Sequence, residues 1–119
     1  MQNFRDVKAW AKAHALTLLV YRETERFPSA ERFGLTSQMR RAAASIPANI
    51  AEGCGRVSDA DFARFLQISF GSASELEYFT LLARDLRFCS DTAHDEIIAG
   101  VQEVKRMLAA FIDRLKADS

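Results

Sequence analysis

A proline stands inside a stretch that otherwise reads as one helix, Leu35 to Arg56, LTSQMRRAAASIPANIAEGCGR. Thr36 or Ser37 is placed to cap its start, and Gly53 to end it in the left-handed conformation. Pro47 removes one backbone donor and crowds the carbonyl four residues back, that of Ala43, at a cost of about 3 kcal/mol. The stretch is therefore expected to kink near Ala43–Pro47. The alternative is two short helices broken at Ile46, because the residue before a proline is pushed away from helical angles.

On a helical wheel, Leu35, Met39, Ala42, Ala43, Ile46 and Ile50 share one face, the expected core. Gln38, Arg41, Ser45, Asn49 and Glu52 form a polar stripe beside it. Arg40, Ala44, Pro47 and Ala51 form a third, mostly small face. A surface helix needs one apolar face and shows long charged side chains elsewhere. Two sides of this helix are therefore expected to meet protein, one of them in another subunit.

Three further helices follow from periodicity. One runs from about Asp6 to Arg26, stopped by Phe27-Pro28, with Val7, Trp10, Ala11, His14, Leu18 and Tyr21 on one stripe. Ala9, Ala13, Leu16 and Val20 form its second stripe. Another runs from about Asp59 to Leu86, with Ser58 as its N-cap. It carries Phe62, Phe65, Leu66, Ser69, Ala73, Leu76 and Ala83 on one side, and Ile68, Ser72, Phe79, Leu82 and Leu86 on the next. Gly71 in its middle predicts close approach of another helix, with Pro47 the candidate neighbour. The last, about Thr92 to Lys116, has the clearest single stripe, from Ile97 and Val101 to Leu115. Four helices with short connections predict an all-α, antiparallel up-down four-helix bundle, one domain over residues 1–119.

The middle motif SQMRRAAASIPANIAEG resembles that of the bacterial four-helix-bundle family encoded in intervening sequences of 23S rRNA genes. The accessory variability determinant proteins of diversity-generating retroelements are similar. Phe4, Asp6 and Trp10, then Phe27-Pro28, Glu31 and Gly34-Leu35-Thr36, then Gly71-Ser72 with Glu75 and Leu76, extend the resemblance nearly end to end. It implies a bundle assembled into a ring of five, without an established enzymatic activity. It also suggests structured RNA or a nucleic-acid-processing protein as partner.

Charge is balanced at 16 basic and 16 acidic residues, which argues against coating nucleic acid by bulk charge. The balance is uneven along the chain. Residues 1–56 carry nine Lys/Arg and five Asp/Glu; residues 57–119 carry seven and eleven. An interleaved bundle would scramble that split in space, yet it permits opposite-sign patches that pair between subunits. Arg40, Arg41, Arg56 and Arg64 are the candidate nucleic-acid contacts, and a ring would multiply such weak groups.

The polar stripe has two readings. One is a structural network of Gln38, Arg41, Ser45, Asn49, Glu52 and Glu75, in which Ser45 and Asn49 bond backbone freed by Pro47 and Arg41 pairs with Glu52 or Glu75. The other is a site facing a channel or partner, which would include an unrecognised enzyme using Arg41, Asn49 and Glu52. Glu-x-x-His, HExxH, P-loop and GxSxG motifs are missing, so no metal, cofactor or catalytic residue is assigned. His14 reads as packed and His94 as surface. Cys54 and Cys89 read as reduced thiols. No apolar run approaches a membrane span, and the first residues lack a signal-peptide pattern. The expected role is a cytoplasmic, non-catalytic, homo-oligomeric scaffold or adaptor that binds structured RNA or a nucleic-acid-processing protein. A purely structural protein-interaction ring is the first alternative.

Overall fold

The computed structural model describes residues 2–118, and its elements are helical. They are α1 Lys8–Thr24, α2 Leu35–Cys54, α3 Asp59–Asp85 and α4 Asp91–Asp118. Short 3₁₀ turns at Phe4–Asp6 and Ser29–Glu31 precede α1 and α2. The helices pack in a square: α1 beside α2, α2 beside α3, α3 beside α4, and α4 beside α1. Among the described residues, α1 and α3 lie on one diagonal and their backbones do not approach each other; the same holds for α2 and α4.

The core faces follow the periodicity. Every residue of the expected α2 core face is buried, and α4 buries Ile97, Val101, Val104, Leu108 and Ile112. On α1 the second stripe is the core: Ala9, Ala13, Leu16 and Val20 are buried, whereas Leu18 and Tyr21 are exposed and Trp10 is half-buried. The apolar arc of α1 is simply wider than the seam between its two neighbours.

α2 runs unbroken through Pro47, so the alternative of two short helices is set aside. The carbonyl of Ala43 would bond the nitrogen of residue 47, which in proline carries no hydrogen. It instead accepts the Thr17 hydroxyl of α1 at 3.0 Å. From the other side, the Ser69 hydroxyl of α3 donates to the Ile46 carbonyl at 2.9 Å. The amide of Asn49 donates to the Ser45 carbonyl at 2.8 Å. Ser45 and Asn49 thus serve their own turn, not the carbonyl that Pro47 frees. That task falls to a residue 26 positions earlier.

The helix ends and glycines correct three expectations. Neither Thr36 nor Ser37 caps α2: the N-cap is Gly34, and the carboxylate of Glu31 accepts the Leu35 N–H at 3.0 Å. Gly53 has no positive φ, because α2 continues through Cys54. It is glycine for space: a Cβ there would lie 2.8 Å from the Phe62 ring and 3.1 Å from the Phe65 Cβ. Gly71, expected to admit a neighbouring helix, faces outward, and a Cβ at that position would meet nothing within 4 Å. At the start of α3 the expected cap is present, with Ser58 Oγ accepting the Asp61 N–H at 3.1 Å.

The end of α3 is a Schellman motif. Phe88 N–H bonds the Ala83 carbonyl at 2.9 Å, and Arg87 N–H bonds the Arg84 carbonyl at 2.9 Å. The left-handed position, usually glycine, is held by Arg87 at φ 63°. Phe88 then packs on Phe27 with ring centroids 5.9 Å apart, which closes this end of the bundle.

The square also sorts charge. The α1–α2 half holds residues 2–56 and the α3–α4 half residues 57–118, so the nine-to-five basic and seven-to-eleven acidic segments are two sides of one molecule. The expectation that a bundle would scramble them is corrected: sequential helices are spatial neighbours here.

Candidate interaction surface

The α2–α3 seam carries most of the predicted polar residues, and it divides them into separate groups. Arg41 of α2 reaches Glu75 of α3 at 3.1 Å and also donates to the Gln38 amide oxygen at 2.9 Å. Ser45 and Asn49 form a local pair one turn on. Glu52 pairs with Arg56 at 3.2 Å, not with Arg41. The six residues therefore make three clusters and no single network. They are also not buried: Gln38, Arg41 and Glu52 are exposed, and Ser45, Asn49 and Glu75 are half-buried. The physical reason is the length of α2, which spaces Arg41 and Glu52 roughly 16 Å apart along its axis.

The four arginines predicted to meet nucleic acid are not brought together. Arg56 and Arg64 do converge. Both guanidinium groups lie against the Phe65 ring, at 4.7 and 4.5 Å from its centroid. Asp61 lies between them, 3.0 Å from Arg64 and 3.9 Å from the buried Nε of Arg56, which has no hydrogen-bond partner. Arg40 and Arg41 lie about 20 Å away, toward the other end of α2. Each of the four faces a carboxylate, so none is a bare cation.

Arg40 serves the end of α1. Its Nε donates to the Thr24 hydroxyl at 2.8 Å, and its Nη2 to the Tyr21 carbonyl at 3.2 Å and to Glu25 at 3.3 Å. The guanidinium also covers the Tyr21 ring at 4.6 Å. A cation at a helix C-terminus is favourable, and this one closes a helix that Pro28 prevents from continuing.

The histidines exchange their expected places. His14 is exposed and stacks on Trp10 with centroids 5.0 Å apart. His94 is buried, with its Nδ1 2.9 Å from Asp95. Both cysteines are free. Burial pushes the Cys54 thiol above its ordinary value. Burial, and then the nearby Glu23 carboxylate, does the same to Cys89. A nucleophilic cysteine needs the opposite shift. Among the described residues, no three His, Cys, Asp or Glu side chains are placed to hold a metal ion, and no helix is long and apolar enough to cross a membrane.

The feature that periodicity left unexplained is the outer side of α3. Its core side buries Phe62, Leu66, Ala73 and Leu76. Its opposite side exposes Ile68, Tyr78 and Leu86, with Gly71 among them. These apolar side chains stand among the exposed Arg64 and Gln67 and the half-buried Glu75 on the same side.

Fold and seam together define a small all-α four-helix protein whose surface chemistry is ion pairs and uncovered apolar side chains. The chain belongs to the family of the 23S rRNA-intervening sequence protein, whose model matches residues 5–110. It is similar in fold to a crystal structure from Bacteroides thetaiotaomicron VPI-5482, a protein with unknown function from the S23 ribosomal protein family. The TM-score is 0.79 at 24% identity, over 87% of this chain and 97% of that one. No functionally curated protein matches the chain.

Proposed function

We propose that this protein is a non-catalytic, homo-oligomeric scaffold of the cytoplasm, built from an antiparallel up-down bundle and assembled as a ring of five. The observation that carries it is the outer side of α3, where Tyr78 is 57% and Leu86 49% exposed on a helix whose other side is core. Large apolar side chains gathered on one face mark an interaction site. Five is the number that the family resemblance implies. The antiparallel arrangement is supported by the order of α2–α3 contacts: Arg41 meets Glu75, Ile46 meets Ser69, and Gly53 faces Phe62. A kink of α2 at Pro47 is supported by the Ala43 carbonyl bonding α1 in place of its own helix. The raised thiols argue against a cysteine nucleophile.

Native mass tests the assembly. Light scattering at micromolar concentration is expected to return a multiple of the chain mass, and a single-chain mass would remove the reading.

Structured RNA is the second reading, favoured by the family's link to a 23S rRNA intervening sequence and by the exposure of Arg41 and Arg64. Surface ion pairs are worth about 0–1 kcal/mol, so phosphates compete with Glu75 and Asp61 on even terms. Binding to a labelled structured RNA should then weaken steeply between about 50 and about 200 mM salt and fall in Arg41→Ala/Arg64→Ala. Arg40 is left intact in that test because it holds α1. No binding at the lower salt leaves a protein-interaction scaffold, for which a nucleic-acid-processing protein is the partner to try.

A further inference from the structure

Resting on the homo-oligomeric reading, we infer that each copy docks the outer side of its α1 against the outer side of α3 of the next copy, basic half to acidic half. Three observations converge. First, α1 and α3 occupy one diagonal of the square, so their outer sides look in opposite directions. Second, both leave large apolar side chains uncovered: Leu18 and Tyr21 on α1, Ile68, Tyr78 and Leu86 on α3. Third, the half containing α1 carries nine basic and five acidic residues, and the half containing α3 seven and eleven.

The charge decides the polarity of the contact. Pairing α1 with α1, or α3 with α3, sets like charge against like, which an interface resists. Pairing α1 with α3 sets unlike charge together and buries both apolar groups at once. Such a contact is head-to-tail: every copy offers one face and receives on the other, so copies add in series and close into a ring when the rotation from each copy to the next returns to the first. Gly71 gives the α3 side an open centre, since a Cβ there would touch nothing within 4 Å.

Two variants and their mixture test this. Leu18→Asp sets a carboxylate on α1 toward the acidic half of the next copy. Gly71→Arg sets a guanidinium on α3 toward the basic half. Both positions are exposed, so both variants should keep the helical circular dichroism of the parent. Each variant alone is expected to run at the mass of one chain. An equal mixture is expected to form a complex containing both, because each variant retains the face that the other lost. That complex should weaken as salt rises from about 50 to about 300 mM. If the parent assembles but either variant alone keeps the parent's mass, or the mixture forms no joint complex, the α1-to-α3 contact is wrong while the oligomeric reading stands. A parent that runs as one chain removes both.

Discussion

The hydroxyl of Thr17 on α1 lies 3.0 Å from the carbonyl of Ala43 on α2 and donates a hydrogen bond to it, where proline has removed the helix's own donor. The hydroxyl has a single proton, which it shares with the Ala13 carbonyl of its own helix at 2.9 Å. Thr17→Val keeps the shape and deletes the donor, leaving a buried carbonyl unserved, and should cost about 1–3 kcal/mol in urea unfolding. In a Pro47→Ala background the native donor returns, so the same change should cost about 1 kcal/mol less. Strict additivity of the two changes would show that Thr17 does not stand in for the missing N–H.

Arg87 occupies the left-handed position at the end of α3 with φ 63°. A residue with a Cβ is disfavoured there by about 1–2 kcal/mol, and glycine gives back part of this through its freer unfolded chain. Arg87→Gly is expected to raise stability by about 0.5–1 kcal/mol, seen as a melting temperature a few degrees higher. An unchanged or lower melting temperature would mean that the Arg87 side chain contributes as much as its backbone costs.

Two glycines close together should differ in their tolerance of a side chain. Gly53→Ala drives a Cβ to 2.8 Å from the Phe62 ring and is expected to cost about 1–3 kcal/mol, despite alanine's better helix propensity. Gly55→Ala meets only the Glu52 carbonyl at 3.4 Å, at φ −84°, and should stay within about 0.5 kcal/mol of the parent. Equal effects in chemical denaturation would contradict the close α2–α3 approach at Gly53.

The thiols predict a pH limit. Both Cys54 and Cys89 are raised above the ordinary value of 9.0 by burial. Below that value the thiol is neutral folded and unfolded, and contributes no slope. Above it the unfolded chain releases the proton first, so stability falls as pH climbs from 9.0 toward the folded values. Cys54→Ala/Cys89→Ala should flatten this alkaline fall, followed as unfolding midpoints between about pH 8 and pH 10.5. A slope unchanged by the double variant would assign it to other groups.

Periodicity made the helices and most of the core legible, and the reasons for its failures are local. The α4 stripe and the α2 face from Leu35 to Ile50 hold because each helix has one apolar side to bury. α1 has two candidate stripes, and the position of α2 and α4 selects between them; that choice is tertiary, and the exchange of His14 and His94 goes with it. Gly53 near a helix end reads equally as a stop or as a packing contact. The polar seam was legible as residue types, and the Arg41–Glu75 pair as one of two options. The work of Thr17 and Arg40 was not, because each serves a backbone group on a helix that only the fold brings near. Uncovered apolar surface on α3 was visible as an excess of stripes, without a direction.

The division of charge has a consequence for how other molecules meet this one. The body measures 46 × 22 × 19 Å, and the screening length at physiological ionic strength is about 8 Å. The molecule is thus broader than the distance over which charge is felt in the cell. An approaching ion or macromolecule senses the side it faces and almost nothing of the other. A chain that titrates as neutral, with sequence pI near 6.7, therefore meets its surroundings as a cation from one direction and an anion from the other. In dilute buffer at about 0.01 M salt, screening reaches about 30 Å, so each side's field extends further from the surface and the molecule behaves as a strong dipole.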